Sequence, residues 1–373
     1  MRPKILWLPS PSSEGYASMD RYWRELTRQL TLSRFENFGV YCPFGEPPLR
    51  SQKALRLVRA WNKYFWLPWK LRGQRGFDIA HVLDHSCTHF LRHLPSSTLK
   101  VVTVHDLAPL EDPDRLTRAQ LRRFHVTIAN MKQVNLILCD SEYSARAARK
   151  FLDRDRDIYV LPLGVDPGSF SRHRSLNLGP NLPSCPKILS VGSNLLRKNL
   201  RILPELLQAV RNALGPVALI RVGERLDAEL LARLRQALQS ENVIELGACS
   251  DEDLAALYQN VDLLLIPSTL EGFGLPILEA MAAGCPVVSS NASSLPEVGG
   301  DDALYFDPAL PAEGARQTIR LLTEPQLRSR LIDAGKARAL RFSWAKHAEK
   351  LVEFYGQILK HSADQSPEAC GAR

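Results

Sequence analysis

Cysteine pairs are missing from this sequence. Its seven cysteines, Cys42, Cys87, Cys139, Cys185, Cys249, Cys285 and Cys370, stand singly. No CxxC pair and no zinc-type Cys/His spacing occurs, so neither a disulfide framework nor a bound metal is expected, and the thiols read as reduced. Long apolar runs are missing too. None approaches the ~20 residues that cross a bilayer, and the apolar part of the opening MRPKILWLP is too short for a signal peptide. A cytoplasmic protein is expected. No repeat of fixed short period occurs. One absence is local: no acidic residue lies between Glu46 and Asp78.

With 373 residues, 45% of them hydrophobic, the chain can bury the cores of two ordinary domains. Its formal net charge of +8 favours an acidic partner: a nucleoside diphosphate, nucleic acid or anionic lipid. No DNA or RNA recognition motif accompanies the basic stretch, so nucleic acid is not expected.

Inside the acid-free stretch, Ser51 to Leu67 reads as a helix. Ala54, Leu57, Val58, Trp61, Tyr64 and Phe65 share one face, and Arg56, Arg59 and Lys63 lie opposite. Two outcomes are open. Either the aromatic face packs on a sheet with the basic face in water, or residues 51–72 lie in the interface of an anionic membrane, where each basic residue near the lipid contributes about 1 kcal/mol.

The chemistry concentrates in Pro267 to Pro286, PSTLEGFGLPILEAMAAGCP. Val261 to Ile266 before it is a short continuous apolar run, as in a parallel strand covered on both faces. After it, Pro276 suits a first helical turn, Ile277, Leu278, Met281 and Ala282 recur at helical spacing, and Gly284 supplies a left-handed C-cap. The segment Glu271-Gly272-Phe273-Gly274 therefore sits at the carboxyl end of a strand and the amino end of a helix, where an open α/β sheet binds ligands and helical N–H groups favour phosphate. Gly272 and Gly274 permit close approach of an anion to the backbone. Glu279, inside the helix, leans back toward the same ligand as Glu271. Alternatively, Glu279 offsets the helix dipole and Glu271 is a solvated loop acid.

LEGFGLPILEAMAAGCPVV, followed by SNASSLPEVGGDDALYFDP, resembles the C-terminal signature of the family 4 (group 1) retaining glycosyltransferases. The resemblance covers roughly Lys4 to Leu359 and is strongest from Lys187 onward. It implies an α/β chain of two facing Rossmann-like doubly wound domains, the GT-B fold, with a cleft between them. It also implies that Glu271 contacts the donor sugar, that Glu279 holds the nucleotide ribose, and that the backbone of Gly272, Phe273, Gly274 and Leu275 faces the diphosphate and sugar.

The rest of the chain fits that frame. Lys4 to Leu8 is a first strand, and Pro9 to Gly15 is a loop leading into a helix from about Ser18 to Thr31. Many relatives place a Gly-Gly pair at the end of that loop; here the counterpart is Ser18-Met19. Phe77 to Leu83 ends at Asp84-His85-Ser86, and Lys100 to Val104 ends at His105-Asp106. A strand-end histidine is ordinarily a hydrogen-bonded loop residue, but His105-Asp106 resembles the family dipeptide whose histidine lies against the donor sugar. Asn135 to Cys139 enters a helix with Asp140 or Ser141 as N-cap. The second domain opens with KILSV at Lys187 to Val191, then Gly192-Ser193 and the turn carrying Arg197-Lys198, and a helix from about Leu200 to Leu214. The resemblance implies that Arg197 and Lys198 carry the donor pyrophosphate, with Gly192 and Ser193 beside it. Many relatives have a further arginine where this chain has Ser193.

The expected division is an acceptor-side domain over 1–165, a linker over 166–186, a nucleotide-sugar domain over 187–342, a returning helix over 343–360 and a disordered tail over 361–373. The expected activity is metal-independent retaining transfer of a hexose, with mannose mildly preferred, from a GDP- or UDP-sugar to a saccharide or lipid-linked saccharide in envelope or exopolysaccharide synthesis. The nucleotide sugar is a substrate, and no separate cofactor is implied. In the family's usual mechanism, the departing phosphate takes the acceptor proton on the face from which the sugar leaves. Two alternatives stand beside this: a nucleotide-sugar epimerase of the same fold, and a degenerate nucleotide-binding scaffold, to which Ser193 and the absent glycine pair point.

Overall fold

The computed structural model describes residues 2–10, 17–32, 35–42, 61–107, 110, 117–172 and 182–364. The chain divides into two compact units, Met1–Leu163 with Trp344–Arg373, and Gly164–Ser343.

In the first unit, six parallel strands are ordered β2-β1-β3-β4-β5-β6. They are β1 (Lys4–Leu8), β2 (Gly39–Tyr41), β3 (Ile79–Val82), β4 (Leu99–Val104), β5 (Leu136–Cys139) and β6 (Ile158–Val160). Ile5 to Leu8, Ile79 to Val82 and Leu136 to Cys139 are buried throughout, as expected of strands covered by helices on both faces. Strand β2 is a short, largely exposed edge with too few apolar residues to be read from the sequence. The helix Glu142–Leu152 is capped by Ser141, whose hydroxyl accepts from the Ser144 N–H.

The last helix, Trp344–Asp364, belongs to this first unit. Buried Tyr355 accepts a hydrogen bond from Trp7 Nε1 at 2.9 Å and lies 2.6 Å from His81 Nδ1; His81 Nε2 is 2.9 Å from Thr103 Oγ1. Burial, with His347 and His105 nearby, pushes His81 down to about 3. The neutral ring therefore accepts from Tyr355 and donates to Thr103, so both nitrogens of the buried His81 ring are satisfied. The helix runs past residue 360, so the tail expected from 361 begins inside it; residues 365–373 lie outside the described residues.

The second unit repeats the plan with β7 (Lys187–Gly192), β8 (Ala218–Gly223), β9 (Val243–Gly247), β10 (Leu263–Ile266), β11 (Val287–Ser290) and β12 (Leu304–Phe306), ordered β12-β11-β10-β7-β8-β9 and all parallel. The chain moves outward from β7 to β9, then returns to β10 on the other side of β7. Adjacent β7 and β10 are thus the switch point, where loops diverge to opposite faces and leave a crevice. The expected linker contains the helix Pro167–Ser171, capped by Asp166, and its buried Phe170 packs 6.1 Å from the Tyr258 ring. Residues 173–181 of that stretch lie outside the described residues.

The acid-free stretch departs from the expected helix. Residues 51–60 lie outside the described residues, as do 11–16 of the first loop. From Asn62 the chain makes a π-helical turn to Trp66, then a short α-helix, Leu67–Leu71, with proline in its first turn. The wider π turn rotates the faces. Lys63, Leu67 and Leu71 point inward, while Trp61, Phe65 and Trp69 are 60%, 61% and 64% exposed. The aromatics therefore do not pack on the sheet, and Lys63 is not on a solvated back: its ammonium donates to Ser86 Oγ at 3.3 Å. Among the described residues, no helix is long and apolar enough to cross a membrane.

Candidate active site

The loops at the β7/β10 switch point bring together Gly192, Ser193, Arg197, Lys198 and the segment from Glu271 to Leu275. Lys198 and Arg197 occupy a 3₁₀ turn, Leu196–Lys198, closed by Asn199 in the left-handed region at φ 53°. The Asn199 amide donates to the carbonyls of Pro267 at 3.1 Å and Pro308 at 2.9 Å, and the Thr269 N–H donates to the Arg197 carbonyl at 2.8 Å. The cationic turn is thereby fixed to the end of β10.

Glu271 stands between the two cations. Lys198 Nζ lies 2.6 Å from its Oε1 and Arg197 Nη1 lies 3.1 Å from its Oε2, while Ser268 donates to Oε1 at 2.7 Å. Burial alone raises a carboxyl's pKa, but Lys198 and Arg197, with hydrogen bonds from Lys198 and Ser268, outweigh burial and hold Glu271 below the ordinary carboxylate range. The site acid is a carboxylate at neutral pH, and the triad of Arg197, Lys198 and Glu271 carries a net single positive charge. Its backbone is pinned as well. The Glu271 N–H donates to Ser293 Oγ at 2.8 Å, and the single Ser294 hydroxyl proton is shared between the carbonyls of Glu271 and Phe273, each 2.8 Å from Oγ.

Gly274 precedes the helix Leu275–Ala283 at φ +109°, a conformation that L side chains rarely adopt, and a Cβ there would lie 2.9 Å from Leu295 Cδ2. Phe273 and Leu275 turn their side chains into the unit, so only the backbone of this loop is available to a ligand. Glu279, on the second turn of that helix, is buried, and Tyr258 donates to its Oε2 at 3.1 Å.

His105 belongs to the first unit. Nδ1 lies 2.7 Å from Asp140 Oδ2 and Nε2 lies 2.8 Å from the Leu83 carbonyl. Both partners are acceptors, so both ring nitrogens carry protons. Burial opposes the imidazolium, yet Asp140 prevails, aided by Asp84 and the Leu83 carbonyl, and pushes the ring up to about 9. Contact with a sugar through either nitrogen requires exchanging one of these bonds. His85 is buried beside Asp84, whose carboxylate caps the next turn by accepting from the Ser86 N–H at 2.8 Å.

Sequence reasoning missed Tyr258, Ser268, Ser293, Ser294 and Asp140 as partners of these residues. Only their place in space marks them, although SSLPEV did fall within the resemblance. Among the described residues, no three His, Cys, Asp or Glu side chains gather as a metal site.

The chain is similar to known proteins along most of its length. Residues 182–338 match the family model described as glycosyl transferases group 1. The chain is 30% identical over 348 residues to the MMP α-(1→4)-mannosyltransferase of Mycolicibacterium hassiacum, covering 86% of this chain and 77% of that protein. It is 31% identical to the serotype-specific mannosyltransferase WbdA of Escherichia coli over 77% of this chain, but spans only 38% of WbdA. Its fold matches sucrose-phosphate synthase from Thermosynechococcus elongatus with a TM-score of 0.79 at 20% identity, over 97% of this chain and 100% of that one. It also matches Anabaena HepE in complex with UDP and glucose, with a TM-score of 0.72 at 19% identity over 95% and 100% of the two chains. Two doubly wound parallel sheets of the GT-B class, a glycine loop between Glu271 and its helix, and this similarity along most of the chain place the protein among the group 1 glycosyltransferases.

Proposed function

We propose that this chain is a retaining hexosyltransferase that takes a hexose, mannose before others, from a GDP- or UDP-sugar and places it on a saccharide or lipid-linked saccharide during envelope or exopolysaccharide synthesis. The observation that carries the reading is the clamp of Arg197 and Lys198 on Glu271 at the β7/β10 switch point. Mannose is favoured because the relatives named above are mannosyltransferases. UDP stays open because the HepE structure contains it.

In this reading the diphosphate meets the two cations and the amino end of the helix Leu275–Ala283. Preorganised positive charge where negative charge develops is the term that most lowers a transfer barrier. When the diphosphate arrives, Lys198 and Arg197 exchange part of their contact with Glu271 for phosphate oxygens, and Glu271 turns to the sugar hydroxyls. Glu279, oriented by Tyr258, accepts from the ribose. The leaving phosphate receives the acceptor proton on the face it departs from, so the sugar keeps its configuration and no protein nucleophile is needed. Cations of the chain itself carry the leaving-group charge, which makes transfer independent of added metal.

The outward aromatics Trp61, Phe65, Trp66 and Trp69, with Arg72 beside them and no acid from residue 47 to 77, support docking on an anionic membrane surface, where a lipid-linked acceptor resides. The deciding experiment is a binding panel of UDP, GDP, ADP and their sugar conjugates, with and without chelator, followed by NMR of the product's anomeric configuration. Stabilisation by one base, unchanged by chelator, and an anomer matching the donor support the reading. Inversion of the anomer, or loss of transfer on chelation, sinks it.

A further inference from the structure

Arg221, on β8, is among the largest fully buried side chains, 1% exposed, and no carboxylate pairs with it among the described residues. Its guanidinium is spent on the turn that follows β7. Nη1 donates to the carbonyls of Ser190 at 3.2 Å and Val222 at 2.6 Å; Nη2 donates to the carbonyls of Gly192 and of Ser193, the latter at 3.0 Å, with Asn194 Oδ1 at 3.4 Å. The charges nearest it, Glu245 and Glu224, are turned to backbone N–H groups, of Leu226 and Asn194 respectively, each through a 2.8–2.9 Å bond. Burying an arginine costs several kcal/mol unless its donors are satisfied; here Nη1 and Nη2 are spent on carbonyls, while Nε is buried without a partner among the described residues.

Because a trans peptide is planar, its C=O and the following N–H point in opposite directions. With the carbonyls of Gly192 and Ser193 held on the arginine, the N–H of Ser193 is aimed away from it. Gly223 makes this close approach of β8 to the turn feasible: it lies at φ +119°, and a Cβ would run into the Gly192 carbonyl oxygen. On another side of Gly192 stands Lys198, whose Cε and Nζ lie 3.6 Å from where a Gly192 Cβ would be. Gly192 is thus bracketed by two cations from different elements.

We propose that Arg221 is a positioning residue for the donor diphosphate: from beneath the turn it holds the carbonyls of Gly192 and Ser193 and so turns the Ser193 N–H outward, toward the anion. This rests on the donor reading above and deepens it. Arg221 acts without reaching the ligand itself: with Glu245 and Glu224 beside it, its contribution is to the backbone of the turn and not to the net charge of the site.

The test is calorimetric binding of free UDP and GDP, and of uridine and guanosine, to the full chain, its Arg221→Gln variant and its Arg221→Lys variant, with melting curves for each. Arg221→Gln is expected to weaken the preferred diphosphate at least tenfold while changing the matching nucleoside less than twofold. Arg221→Lys, which keeps the charge but not the fork, is expected to lose three- to tenfold, and it stands in if the glutamine variant does not fold. A folded variant that binds diphosphate within twofold of wild type overturns the proposal, as does equal weakening for nucleoside and diphosphate. Wild-type protein that binds neither UDP nor GDP overturns the donor reading itself, and the proposal with it.

Discussion

Lys198 Nζ and Glu271 Oε1 stand 2.6 Å apart, joining the turn after β7 to the loop after β10 by one half-buried ion pair. The cation proposed to meet the diphosphate and the acid proposed to meet the sugar therefore hold each other in place. That is preorganisation, and its worth is read by removing one partner.

Lys198→Ala deletes a positive charge from the site and lets the Glu271 carboxyl rise toward its ordinary range. Hexose transfer at saturating donor is expected to fall on the order of 10²-fold, the usual cost of removing one electrostatic stabiliser. A rate within about threefold of wild type, measured by donor consumption, rules out the leaving-group role.

Glu279 and Tyr258 form the second test. Glu279→Gln is expected to weaken free nucleoside diphosphate about tenfold and to erase its preference over the 2′-deoxy analogue. Tyr258→Phe, which only frees the acid to turn, is expected to cost about 1 kcal/mol of the same affinity. If Glu279→Gln slows sugar transfer with nucleotide affinity intact, the acid serves the sugar instead of the ribose.

His105 gives a pH signature. Its folded value is raised from 6.5 to about 9, so its stabilisation is complete below pH 6.5 and is lost as pH rises through 9. The shift corresponds to about 3 kcal/mol. His81 and His347 act in the other direction: burial lowers them to about 3 and about 4, so their share is present above pH 6.5 and is lost as pH falls below it. The melting midpoint is expected to peak near pH 6.5, with an alkaline fall that Asp140→Asn flattens. An unchanged alkaline fall in that variant removes the pair as its cause.

The outward aromatics predict lipid binding that depends on both charge and ring. Sedimentation with vesicles containing phosphatidylglycerol is expected to capture the protein, and neutral phosphatidylcholine vesicles to leave most of it free. The double variant Trp66→Glu, Trp69→Glu is expected to lose at least tenfold in partitioning. Equal capture by both vesicles, or an unaffected double variant, excludes membrane docking.

Strand and helix alternation, the glycine loop and its two glutamates were legible because each is a local matter. An apolar run such as Leu263–Ile266 needs cover on both faces wherever it lies, and Pro276 and Gly284 mark helix ends by their own backbone preferences. The short edge strand Gly39–Tyr41 and the π turn at Asn62–Trp66 were not legible, because neither has a periodicity of its own. That turn carries Lys63 inward, away from the basic face that helical spacing gave it, and leaves Trp61 and Phe65 outward instead of on the sheet.

By itself, then, the sequence determined two doubly wound sheets, marked Glu271, Glu279, Arg197 and Lys198 as candidates, and put no cation at Ser193. Only the tertiary structure decided which groups face each other. Glu271 meets Lys198 across 73 positions of chain, and His105 meets Asp140 across 35. Arg221 reaches the Ser193 carbonyl across 28. Such pairs arise from strand order, which places β4 beside β5 in one sheet and β7 between β8 and β10 in the other. The electrostatics follow from that adjacency, since burial and the nearest charge set each group's ionisation and both belong to the folded chain.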